Sequence, residues 1–201
     1  VNKNTLVEEH IAGIPGDTFI RDFLPKCNES EKSQIAKEYV KFNERSMIRL
    51  LGDMRAYNYV VVPTHDFDQV VYKIRPIDFD QQSFEGKLSV YRPQFFKENF
   101  PIMELVRSKL KRDSINQYKI EERSIVARRI ISSGNRLKKL LKIMQSDETT
   151  LKSNLRRLKK EIYNFTKDQD FLKSKSMGDV MSAALNFVRL NYEKVNMQDF
   201  F

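Results

Sequence analysis

Over most of the chain the apolar positions repeat at helical spacing. Ile35, Tyr39, Phe42 and Met47 fall on one side of residues 30–47, a stretch of strong helix formers with Asn28 or Ser30 placed to cap it. A short apolar step, residues 48–51, leads into Gly52-Asp53. From Pro101, which suits a first helical turn, the pattern is helical to the end. Asp113 is placed to cap a helix carrying Ile115, Tyr118, Glu122 and Ile125, and Ser133-Gly134-Asn135 predicts a break. Leu137, Leu140, Leu141 and Met144 mark the next stripe, and Asp147 is placed to cap a further helix. There Leu151, Leu155, Leu158, Ile162 and Phe165 alternate four and three apart. That is a coiled-coil-like seam of only about two heptads, so it reads as helix packing inside one domain. A last helix carries Val180, Ala184, Phe187 and Val188.

The period changes between residues 52 and 100. Residues 59–62 and 70–75 are β-branched and aromatic, with Pro63 closing the first run and a polar stretch, 64–69, between them. Two short strands around a polar loop predict a β-hairpin. Ile14-Pro15-Gly16-Asp17 is a turn signal, and residues 81–100, with Gly86 and Pro93, read as irregular. Tyr91, Phe95, Phe96 and Phe100 are expected to pack as core beneath that loop. The fold class is therefore mainly α with a small β-hairpin.

Composition adds an asymmetry. The 201 residues suit one domain, or one domain with a helical appendage. Residues 1–100 hold 14 Lys and Arg against 15 Asp and Glu, a net of −1, while residues 101–201 hold 22 against 12, a net of +10. Two parts with different jobs are expected, 1–100 and 101–201. Lys138, Lys139, Lys142, Arg156, Arg157, Lys159 and Lys160 lie between apolar stripe positions and suit nucleic-acid phosphates, an acidic partner or an anionic membrane. Asp147, Glu148 and Glu161 interrupt them. Cys27 is the only cysteine, so no intrachain disulfide is possible and a reducing, cytoplasmic setting is expected. No apolar run reaches the roughly 18 residues of a membrane span, and the opening VNKNTLVEEH has no signal-peptide pattern. His10 and His65, the only histidines, stand in unrelated contexts and do not suggest a zinc site; His65 reads as a solvated turn residue.

Candidate chemistry concentrates between Leu50 and Gln82. Asp53 follows a helix on a loop, Asn58 comes five residues later, and the hairpin then returns the chain to Asp78-Phe79-Asp80. A hairpin brings its end back to its start, so Asp78 is expected near Asp53 and Asn58. Two carboxylates and an amide oxygen at a loop edge suit a hard cation such as Mg²⁺, which takes one or two protein oxygens and completes its shell with water and substrate phosphates. Phosphoryl transfer uses this economy.

Gly52-Asp53-x-x-x-x-Asn58 followed by Ile77-Asp78-Phe79-Asp80 resembles the catalytic loop and metal motif of the protein-kinase-like superfamily. The variant is closest to aminoglycoside and choline phosphotransferases and to lipid kinases, where Gly-Asp precedes the loop. The turn at residues 13–16 resembles the segment after the hinge between that family's two lobes. The resemblance, over roughly residues 5–100, implies the C-terminal lobe of an ATP- and Mg²⁺-dependent phosphotransferase acting on a hydroxyl acceptor. It makes Asp53 the catalytic base and Asn58 and Asp78 the metal and cofactor ligands. Asp80 is an auxiliary to the metal site, and Arg55 a cation for the transferring phosphoryl oxygens. Only 52 residues precede Asp53, with no Gly-rich phosphate loop and no strand lysine with a helix glutamate. The family's nucleotide-covering lobe is therefore absent from this chain, which alone is expected to turn over poorly. The alternative is a catalytically dead relative, or a basic helical module binding nucleic acid or a protein.

Overall fold

The computed structural model describes residues 10–67, 69–146 and 150–194. The elements begin with β1 (Ile14–Pro15) and α1 (Gly16–Thr18), a π-helical turn and a 3-10 turn, then α2 (Glu29–Ile48). A 3-10 turn (Ala56–Asn58) leads into β2 (Tyr59–Asp66) and β3 (Gln69–Pro76). Three more 3-10 turns between Leu88 and Asn99 precede α3 (Phe100–Lys109), α4 (Arg112–Gln145), α5 (Lys152–Thr166), α6 (Asp170–Lys173) and α7 (Met177–Asn191). The architecture is mainly helical with one small antiparallel sheet, ordered β1-β2-β3. Among the described residues no helix is long and apolar enough to cross a membrane.

Helix α2 starts at a reciprocal cap. Asn28 Oδ1 accepts from the Glu31 N–H at 2.9 Å, and the Glu31 carboxylate accepts from the Asn28 N–H at 2.8 Å, which satisfies two backbone donors a helix start leaves open. The helix buries Ile35, Ala36, Tyr39, Val40 and Phe42 against Tyr59 and Val61 of β2 and Ile74 of β3. Ile102, Met103 and Val106 of α3 and Ile115 of α4 close the same core. A second core joins Leu50, Leu88 and Tyr91 to Leu158 and Ile162 of α5, Phe171 of α6, and Met177, Val180, Met181 and Ala184 of α7. Both cores draw on residues from either side of position 100.

Charge is buried between the elements as well. Glu38 of α2, almost fully buried, accepts from Arg45 at 2.6 Å and from the Ile74 N–H at 3.1 Å. Arg45 also donates to Glu122 of α4 at 3.0 Å and to the Ile74 carbonyl at 3.2 Å. Two side chains thus tie α2 to both β3 and α4.

Several details differ from the expectations. The strands run through the expected polar loop: His65 pairs with Val70 and Asp66 with Gln69, and Phe67, just after β2, has φ 49°. Pro63 sits inside β2 opposite Tyr72. It is tolerated because β1 covers only Val60 and Val61, leaving β2 an edge strand from there on. Ile14 and Pro15, read as a turn, form that third strand. Lys111, rather than Asp113, is the N-cap of α4; Asp113 lies in the first turn, where its charge complements the helix dipole. The expected break, by contrast, is present: Gly134, at φ 45° and ψ −121°, is not helical and divides α4 into two helical segments. Leu140 is exposed while Leu141 and Met144 pack on the second core, and Leu151 is exposed at the start of α5. Of Tyr91, Phe95, Phe96 and Phe100 only Tyr91 is core; Phe95, at the end of a 3-10 turn, and Phe100, the first residue of α3, are exposed. Asp147 lies outside the described residues.

Candidate functional site

The loop carrying Asp53 is pinned between the two cores. Leu50 belongs to one core, and Leu51 and Met54 to the other. Asp53 has φ 53°, a left-handed conformation that Asp tolerates better than branched residues do. Its N–H donates to the Val90 carbonyl at 3.1 Å. A Cβ at Gly52 would stand 2.5 Å from the Gln81 carbonyl oxygen, so only glycine lets this loop lie against the turn that follows Asp80.

Three of the five expected residues touch. Asn58 Nδ2 donates to the Asp53 backbone carbonyl at 2.8 Å and lies 3.5 Å from Asp53 Oδ2. Arg55 Nε donates to Asp53 Oδ1 at 2.8 Å. Both Asp53 and Arg55 keep about a third of their side chains open to solvent. The Asn58 N–H donates to the Arg55 carbonyl at 2.9 Å, closing a 3-10 turn over Ala56 and Tyr57.

Asp78 arrives by the hairpin. Tyr59 pairs with Pro76, and the Ile77 N–H donates to the Asn58 carbonyl at 3.1 Å, so the backbone of Asp78 begins one residue beyond a bond to Asn58. Phe79 packs against the first core and anchors the segment. Asp78 Oδ1 accepts from the Asp80 N–H at 3.2 Å, an Asx turn, and Asp80 is exposed. Among the described residues no three His, Cys, Asp or Glu side chains form a metal-holding group, so Asp53, Asp78 and Asp80 are not a carboxylate triad. Asn58 carries an amide oxygen and Asp78 a carboxylate, hard donors of the kind Mg²⁺ takes beside phosphates, and the bond that joins their segments is a backbone one.

Two residues support the loop from far along the chain, and local sequence patterns do not single them out. Asn99 is fully buried. Its Nδ2 donates to the Met54 carbonyl at 3.0 Å and the Pro93 carbonyl at 2.8 Å, and its Oδ1 accepts from the Tyr59 hydroxyl at 2.9 Å. It therefore grips the chain just after Asp53 and just after Asn58. Burial pushes the Tyr59 hydroxyl pKa well up, so it stays a donor at physiological pH. Glu98 accepts from Arg55 at 3.0 Å, and the guanidinium lies 4.9 Å from the centre of the Phe96 ring. The Arg55 pKa is raised, first by its hydrogen bond to Asp53. The Glu98 carboxyl is held below its usual range by its own backbone N–H and by Arg55, with burial opposing. The only sequence signal for either residue was a polar pair just before the helix-starting Pro101.

A separate cleft of about 620 Å³, lined by Arg123, Phe165, Lys167, Phe187, Asn191 and Lys194 among others, contains none of these residues. Comparison with protein-family models, curated proteins and solved structures finds no match.

Proposed function

We propose that this chain carries the catalytic loop of a kinase-like phosphotransferase that moves the γ-phosphoryl group of Mg²⁺–ATP to a hydroxyl acceptor. The observation that carries the reading is the Asn58 amide. Its nitrogen is spent on the Asp53 carbonyl at 2.8 Å, and its Oδ1 accepts no hydrogen bond among the described residues. An oxygen donor is thus fixed by the loop that bears the base, next to the strand that delivers Asp78. Asn58 and Asp78 would hold the cation, which when bound neutralises charge on the phosphates.

The remaining roles follow from position. Asp53, partly exposed at the loop, accepts the acceptor hydroxyl's proton as that oxygen attacks the γ-phosphorus and ADP departs. Arg55 orients the carboxylate through Oδ1 and brings positive charge to the phosphoryl oxygens. Glu98 and the Phe96 ring hold Arg55 from the other side, so its guanidinium is positioned before substrate arrives. Transfer of labelled phosphate from ATP to hydroxyl acceptors, measured with the protein, tests the assignment. Asp53→Asn is expected to lower the rate by about 10²–10⁴-fold with the melting temperature little changed. Undiminished transfer in Asp53→Asn overturns the role given to that residue.

A further inference from the structure

The segment of α4 from Arg128 to Gln145 contains six cations, Arg128, Arg129, Arg136, Lys138, Lys139 and Lys142, and no Asp, Glu, Phe, Tyr or Trp. All six are exposed, and among the described residues none of them is in an ion pair. Past the Gly134 kink, Arg136, Lys139, Leu140 and Ile143 are spaced i, i+3, i+4 and i+7, so they form one stripe. All four are exposed, while Leu141 and Met144 face the second core. Leu140 is 53% and Ile143 68% exposed, and Ile131, before the kink, is 68% exposed. An outward helix face that combines cations with large aliphatic side chains is costly to leave in water.

We infer that the distal half of α4 is a docking surface for an anionic lipid bilayer. Four to eight basic residues on an amphipathic helix suit acidic headgroups, and past the kink Arg136, Lys138, Lys139 and Lys142 supply the charge while Leu140 and Ile143 supply the apolar groups that enter the headgroup–acyl boundary. Nucleic acid fits the same charges but not the rest of the face. Its backbone rewards cations, its bases reward aromatic stacking or polar edges, and this segment offers exposed Ile and Leu instead. The surface is independent of the phosphotransferase reading, since none of its residues belongs to the Asp53 loop.

Co-sedimentation of the 201-residue chain with phosphatidylcholine vesicles, with and without phosphatidylserine, tests the inference. Binding is expected only with phosphatidylserine and is weakened by salt. A cation near such a surface is worth about fivefold in partition, so the combined Lys138→Glu, Lys139→Glu and Lys142→Glu variant is expected to bind at least about a hundredfold more weakly. The Leu140→Ser/Ile143→Ser double variant, which leaves every charge in place, is expected to lose about tenfold or more. All five positions are exposed, so circular dichroism should show an intact fold. No sedimentation with phosphatidylserine vesicles overturns the inference. So does binding of an oligonucleotide, read by fluorescence anisotropy, that survives Leu140→Ser/Ile143→Ser while vesicle binding is absent in every variant.

Discussion

Asn99 decides whether the loop from Asp53 to Asn58 keeps its shape. It satisfies two backbone carbonyls and one hydroxyl with no access to water, and each such group left unpaired costs about 1–3 kcal/mol. Asn99→Leu is therefore expected to destabilise the protein by at least about 3 kcal/mol in urea unfolding, whereas a loss under about 1 kcal/mol would mean the loop is held by other contacts. The residue scale is also where sequence reading divides most sharply. Asp53, Arg55 and Asn58 were legible because their spacing in one short segment sets their contact. Asn99 and Glu98 were not, because their partners at Met54, Arg55 and Tyr59 lie forty or more positions away and an irregular segment has no period from which to infer that approach. The left-handed backbone at Asp53 was also invisible, since it follows from how Leu50, Leu51 and Met54 are divided between two cores.

At the scale of elements, the hairpin strands and the long helices followed from period, and β1 and the register did not. The hairpin was expected from two β-branched runs, and its return of Asp78 towards Asn58 is the fold feature the candidate site depends on. Its length was underestimated because His65 and Asp66 are polar, and an edge strand can expose both. The way α2 meets β3 and α4 was not legible either, since Glu38, Arg45 and Glu122 look like ordinary surface charges in a helical pattern. Buried as they are, removing one partner strands the others. Arg45→Ala is expected to cost about 3–5 kcal/mol in chemical denaturation, leaving Glu38 and Glu122 without their shared cation. If Arg45→Ala unfolds at the wild-type midpoint, the three charges do not act as the tie between these elements.

At the scale of the whole molecule, the charge asymmetry and the two cores divide the chain differently. The basic excess lies wholly beyond residue 100, yet α3 and the start of α4 complete the core beneath the hairpin, and Leu50, Leu88 and Tyr91 complete the core of the last three helices. The Asp53 loop lies where those cores meet, a rigid place for chemistry that rests on positioning. The basic helices extend from the same frame, so one body holds a candidate phosphoryl-transfer loop and a cationic face. The most direct measurement is a thermal-shift titration with Mg²⁺–ATP, wild type beside Asp78→Ala. A ligand that binds the folded state stabilises it by RT ln(1+[L]/Kd). A Mg²⁺-dependent rise in melting temperature that Asp78→Ala abolishes is expected if the nucleotide's metal sits at this hairpin. A rise of the same size in both proteins would contradict that placement.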